Sequence, residues 1–283
     1  MRRALGALLL TLAPGWAQTP APNSFSGMQT AAVKKFDVAT IKPGAPKPGL
    51  PDSAWQLGPP ARGSVEIMNL ELKKIIASSF RIQDIMVFGP SWMDSTRYNI
   101  VGKGPDPNAP NPEVWEMMRS LLADRFHMKY HLEDREMPVY VLSVAKGGPK
   151  LKDPAQGQCA QAIKDGKNCG DIRFLPFGVG IYNMPMGALI GGLGRRLQDR
   201  PFQQEQRLPV VDQTGLTGKY DIDVIWMPFG MKAEDLDGVQ KDLIPPDVSL
   251  SQAMERQAGL KLEAKKVPVP VVVVDQIEKP SDN

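Results

Sequence analysis

Two histidines, two cysteines and a set of aspartates in the C-terminal half are the residues of this 283-residue chain whose types invite chemistry. His127 and His131 are spaced so that on a helix both imidazoles would meet one metal ion. Met128, Tyr130 and Leu132 alternate with them, however, which predicts a strand with His127, Lys129 and His131 on its solvent side. Four residues along a strand span about 13 Å, too far for one ion bound at about 2 Å. Asp221 and Asp223 leave one face of another predicted strand about 7 Å apart. With Asp212 they have the composition of a cation site or an acid–base pair. The same pattern is also the ordinary one of a solvated strand face. Gly191-Gly192-Leu193-Gly194-Arg195-Arg196 lacks the Lys-Ser/Thr of a phosphate loop. It reads as part of a helix whose glycines allow close packing or end it.

Val211-Asp212-Gln213-Thr214-Gly215 contains the letters of the aspartic-protease Asp-Thr-Gly, interrupted by Gln213. That chemistry needs two carboxylates sharing a proton. The matching place in the first half holds Pro90-Ser91-Trp92, so no second aspartate is evident. The competing reading is a turn: Asp212 and Thr214 bond local backbone, and Gly215 and Gly218 take positive φ. Asp212, Thr214, Asp221 and Asp223 are therefore carried forward as binding candidates. No catalytic residue, metal ligand or cofactor is assigned. Cys159 and Cys169 are the only cysteines. In an oxidising compartment they are expected to pair, closing a short loop worth about 2–3 kcal/mol on the chain-entropy model.

The N-terminus supplies that compartment. A positive start at Arg2-Arg3, an apolar run from Ala4 to Ala13, and small residues before a cut after Ala17 predict a signal peptide over residues 1–17. Residues 18–34, rich in Pro, Ala, Ser and Thr, predict a flexible leader. No later stretch is apolar enough for a membrane span. Basic and acidic residues number 34 and 31 and are interspersed, unlike the clustered basic surplus of a nucleic-acid binder.

The elements that position these residues read as α+β. Phe36–Ile41 alternates as a strand. Val65–Met68 is a second strand, and Asn69 is placed as the N-cap of a helix burying Leu72, Ile75, Ile76, Ser79 and Phe80. Arg97–Val101 is a strand. Asn111-Pro112-Glu113 opens a helix with Val114, Met118, Leu121, Leu122 and Phe126 on one stripe. A strand then ends at Leu132, Glu133–Met137 is read as a turn, and Pro138–Ala145 as another strand. The order recurs: Val179–Asn183 matches Val65–Asn69, and Met186, Leu189 and Ile190 match Leu72, Ile75 and Ile76, at an offset of 114. Lys219–Ile222 matches Arg97–Ile100. Ser249-Leu250-Ser251-Gln252 is a capping box opening a helix that ends near Gly259, and Pro268–Val274 matches Pro138–Val144. The expectation is two tandem related β-α-β-α-β-β units, with mainly antiparallel sheets and helices on one face. Residues 35–154 form the first, 155–172 a cysteine-containing linker, and 173–283 the second.

Several stretches resemble a known family. They are Phe36-Asp37-Val38-Ala39-Thr40-Ile41-Lys42-Pro43, Leu121-Leu122-Ala123-Asp124-Arg125-Phe126, Pro138-Val139-Tyr140, Lys146-Gly147-Gly148-Pro149-Lys150, Val211–Gly218 and Glu278–Asn283. The chain is similar to a large group of exported soil-bacterial proteins without established activity. Similar domains form the extracytoplasmic part of membrane metallopeptidases resembling the β-lactam sensors. The resemblance implies export, and a binding or sensing role by association of fold alone. The reading that follows is a non-enzymatic module for an extracytoplasmic ligand or protein. The alternative is a secreted hydrolase or metal-dependent enzyme using Asp212, Asp221 and Asp223.

Overall fold

A computed structural model describes residues 34–45, 54–57, 63–167, 169–175, 177–197, 207–228, 231–232, 234 and 248–280. The predicted signal peptide and nearly all of the leader lie outside these residues. The architecture is mixed α+β. Strands β1 (Val38–Pro43), β2 (Ala54–Leu57), β3 (Ser64–Glu71) and β5 (Arg97–Lys103) form an antiparallel sheet in the order β1-β5-β3-β2. The strand at Phe36–Ile41 thus becomes β1 and pairs with β5. Helices α1 (Leu72–Phe80) and α2 (Asn111–Arg125) accompany this sheet. Leu72, Ile75, Ile76 and Phe80 of α1 and Val114, Met118 and Leu122 of α2 are buried with Val65, Ile67 and Ile100 in one cluster. Each such side chain removed from water contributes about 1.5–3 kcal/mol.

A second sheet takes the order β10-β8-β7, from β7 (Asp171–Leu175), β8 (Gly178–Pro185) and β10 (Lys219–Ile225). Helix α3 (Ala160–Lys164) precedes it in the chain. Helix α4 (Met186–Arg196) packs on the sheet through Met186, Leu189 and Leu193, which are buried with Val179, Ile181 and Ile222. Helix α5 (Leu250–Ala253) opens with the expected capping box between Ser249 and Gln252. It continues as one wider π-helical turn over Met254–Ala258, and Gly259 ends it with φ 65°.

The two sheets are joined by the longest strands among the described residues. β6 (Lys129–Val144) and β11 (Leu260–Gln276) pair antiparallel from Val144↔Leu260 to Lys129↔Gln276. The turn expected at Glu133–Met137 is therefore strand, and the last two strands expected in each unit are one. Charge density suggested the turn, but the side-chain alternation never breaks. Asp134, Glu136 and Pro138 point to solvent, while Val139 and Val141 are buried. Two short strands flank this ribbon in parallel pairing. β4 (Val87–Phe88) lies on β11, and β9 (Val210–Asp212) lies on β6.

Ribbon parity explains the burial. Even-numbered Leu142, Leu260 and Leu262 enter the second core, and even-numbered Met128, Val272 and Val274 enter the first. Odd-numbered Val139, Val141, Val269 and Val271 form a third cluster with Met86. Even-numbered Tyr140 and Leu142 also direct backbone groups outward, to Pro209 and Gln213. Pro138, Pro268 and Pro270 share this parity, so none removes a rung of the β6–β11 ladder.

Core residues of the first sheet thus come from both ends of the chain: Val272, Val274 and Ile277 complete it. A fragment spanning residues 35–154 is predicted to show no cooperative thermal transition by circular dichroism. The chain through Asn283 shows one.

Candidate functional site

Asp221 and Asp223 sit on β10 beside a bulge in β8. Pairing shifts between Tyr220 and Ile222, so Tyr182 and Asn183 together face Asp221. Asn183 has φ 50°, a left-handed conformation that Asn tolerates better than most side chains. Its N–H donates to Asp221 Oδ1 at 2.7 Å. The first half carries the same device. Asn69 has φ 46°, and its N–H donates to Asn99 Oδ1 at 2.8 Å beside a register shift between Ile67 and Leu70. Asn69 is thus a bulge residue within β3, not the N-cap of α1. That position falls to Glu71, which makes no side-chain capping bond. Pro110, likewise without a capping bond, precedes α2 in place of Asn111.

Asp221 is 5% exposed. Lys152 pairs with it main chain to main chain, by bonds of 3.2 and 3.0 Å. Gly157 lies so close that a Cβ there would stand 1.8 Å from Asp221 Oδ2, which makes glycine a steric requirement. The Asn183 side-chain amide donates to the carbonyl of Cys169. Cys169 is disulfide-bonded to Cys159, with Cα atoms 5.6 Å apart. The expected disulfide therefore anchors the loop that covers Asp221.

Asp223 remains exposed, so the two carboxylates expected to act together occupy different environments. The Tyr182 hydroxyl donates to Asp223 Oδ1 at 2.5 Å. Burial foremost, and then this bond, push the Tyr182 phenol up to about 12. It stays protonated, a hydrogen-bond donor, at neutral pH. The Arg173 guanidinium lies 4.6 Å over the Tyr182 ring, and its Nε donates to Asp171 at 2.8 Å. Gly180 makes the room, because a Cβ there would stand 2.5 Å from Asp223 Oδ1 and 2.7 Å from the phenol oxygen.

Asp212 and Thr214 form the turn that their spacing suggested. Asp212 Oδ1 accepts from the Thr214 N–H at 2.9 Å and from its hydroxyl at 2.7 Å. Thr214 Oγ1 accepts in turn from the Leu216 N–H at 3.2 Å. Gly215 has φ 69°. Gly218 is not among the positive-φ glycines. A Cβ there would meet the Tyr220 hydroxyl at 2.7 Å, so close approach is what it provides. In α4, Gly192 and Gly194 serve packing, against Val179 and Gln83.

The histidines are exposed and held by carboxylates. His131 on β6 has Nδ1 2.9 Å from Asp275 Oδ1 and Nε2 3.6 Å from Glu133 Oε2. His127, with φ 48°, lies before the strand and pairs with Glu278 at 3.2 Å. Among the described residues no three His, Cys, Asp or Glu side chains are grouped to hold a metal ion. Two glutamines escaped sequence reasoning. Gln257 brackets the backbone of Ile225, accepting at 2.9 Å and donating at 2.7 Å. Gln83 does the same to Val210 across the two halves, at 3.2 and 3.0 Å. No spacing signals either. Asn99 was findable, because the matches that align Asn69 with Asn183 also bring Asn99 opposite Asp221.

Asp221→Ala strands the Asn183 N–H, and in chemical denaturation it costs about 1–3 kcal/mol. Asp221→Asn keeps the acceptor, as Asn99 does, and costs less. The His131 imidazole is held above its usual range, first by its bond to Asp275. A raised folded pKa means that its stabilising contribution is complete below the unfolded value near 6.5 and fades as pH rises through the folded value. In an NMR titration the His131 midpoint lies above that of an unperturbed histidine, and Asp275→Asn lowers it.

Comparisons with curated proteins and with solved structures found no match. A family model described as "Protein of unknown function (DUF3738)" matches residues 73–277, from the first turn of α1 to the end of the ribbon. The chain belongs to that family.

Proposed function

We propose that this chain is an exported, non-enzymatic module that binds or senses an extracytoplasmic ligand or protein. One observation carries the reading. Each aspartate of the candidate set is taken up by a neighbour in the same chain: Asp212 by Thr214, Asp221 by Asn183, and Asp223 by Tyr182. A general base needs a free carboxylate within reach of substrate. These carboxylates hold a turn, a bulge and a buried phenol. Export agrees with the charged and apolar N-terminal sequence and with the disulfide in the loop over Asp221. An internal duplication belongs to the same proposal. It is supported by matching β3–α1 and β8–α4 boundaries and by the paired left-handed asparagines.

The test is a thermal-shift screen of the oxidised chain from Gln18. The panel holds divalent cations, cell-wall fragments, oligosaccharides, peptides and β-lactams. A ligand at 100 times its dissociation constant adds about 2.7 kcal/mol, a shift of several degrees for a chain of this size. A shift with an organic ligand, kept in Asp212→Asn and Asp223→Asn, is the expected result. Turnover of a panel compound that is lost in any one Asp→Asn variant would establish the hydrolase instead.

A further inference from the structure

The sheet edges are not equally available. The free edge of β11 carries Pro268 and Pro270, whose parity turns their missing N–H groups outward. β10 is closed at one end by the main-chain pairing of Lys152 with Asp221 and at the other by Gln257 on Ile225. The opposite edge of the same sheet is β7, and among the described residues no strand pairs with its outer side.

β7 also carries anchoring groups on both faces. Arg173 leaves one face over the Tyr182 ring, with its side chain 50% exposed. Its Nε is bound to Asp171, and its two terminal nitrogens form the planar fork that carboxylates accept. Phe174 leaves the other face, 41% exposed, with the guanidinium of Arg195 from α4 lying 4.9 Å over its ring. Successive residues of an added strand also point to opposite faces. A partner with acidic side chains at two consecutive positions would therefore offer one carboxylate to Arg173 and the other to Arg195.

We propose that β7 is a strand-addition site for an extended peptide segment bearing two adjacent acidic residues. The proposal rests on the binding-module reading and names its surface and ligand class. Main-chain pairing to the outward groups of Ile172 and Phe174 gives affinity, and the two arginines give register and sequence preference.

The experiment uses the oxidised chain from Gln18 and two labelled peptides, acetyl-Val-Thr-Glu-Glu-Val-Thr-amide and acetyl-Val-Glu-Thr-Glu-Val-Thr-amide, followed by fluorescence anisotropy at low salt. The first is expected to bind saturably and to slow amide exchange at Ile172 and Phe174, the residues of β7 whose backbone groups face the open edge. The second puts both acids on one face and binds more weakly. Arg173→Glu and Arg195→Glu each weaken binding of the first by about tenfold. Arg81→Glu, in the other half of the molecule, leaves it unchanged. Unfolding midpoints matching the parent chain keep the variants interpretable. No saturable binding of the first peptide, equal binding of both peptides, or protection away from β7 would overturn the proposal. If the peptide fails while the wider panel still yields an organic ligand, strand addition falls and the binding module stands.

Discussion

The antiparallel pairing of Lys129–Val144 with Leu260–Gln276 is the constraint on which the rest of the molecule depends. One hydrogen-bonded ribbon supplies side chains to three apolar clusters. A slip of one residue would reverse every side chain between faces. It would take Val272 and Val274 out of the first core, Leu260 and Leu262 out of the second, and expose Val269 and Val271. Register is therefore specified along the whole ribbon. The flanking strands reinforce it in a crossed pattern. β4, from the N-terminal part of the chain, lies on β11, and β9, from the C-terminal part, lies on β6. Gln83 on Val210, together with Arg207 on Asp84 at 2.6 Å, ties the same two parts together a second time.

Each sheet then solves one further problem in the same way. A strand must turn directly into a helix, β3 into α1 and β8 into α4, with no loop between them. A bulge holding a left-handed asparagine turns the chain, and an acceptor on the next strand takes the N–H group thereby freed. In the first sheet the acceptor is the amide of Asn99. Its own N–H group finds the Pro43 carbonyl at the end of β1. In the second it is the carboxylate of Asp221, covered by the disulfide-anchored loop instead of a strand. An aspartate that looks chemical by type is structural by position.

Much of this was legible in the sequence, for reasons that can be named. Helix stripes such as Leu72–Ile75–Ile76 and Val114–Met118–Leu122 follow the 3.6-residue period, which tertiary packing reinforces. The Ser249 box and the Asp212–Thr214 turn are local bonds between near neighbours, so spacing alone encodes them. Glu133–Met137 was misread because charge and an adjoining proline imitate a turn. What keeps it extended is a partner strand some 130 residues away, which local pattern does not record. The face shared by Asp221 and Asp223 was inferred from alternation. Their different exposure comes from Lys152 and Gly157, distant residues that cover only one of them. The arginine–aromatic stacks around β7 were invisible for the same reason.

Native-state hydrogen exchange of the oxidised chain tests most directly whether one ribbon binds both halves into a single cooperative unit. Amides of Ile67 and Ile100 in the first core, Ile181 and Ile222 in the second, and Val139 and Val271 in the ribbon should open with one common free energy. Denaturant should merge them into a single isotherm. Two separate isotherms, with the amides of one core opening while the ribbon and the other core stay protected, would contradict the shared-ribbon architecture.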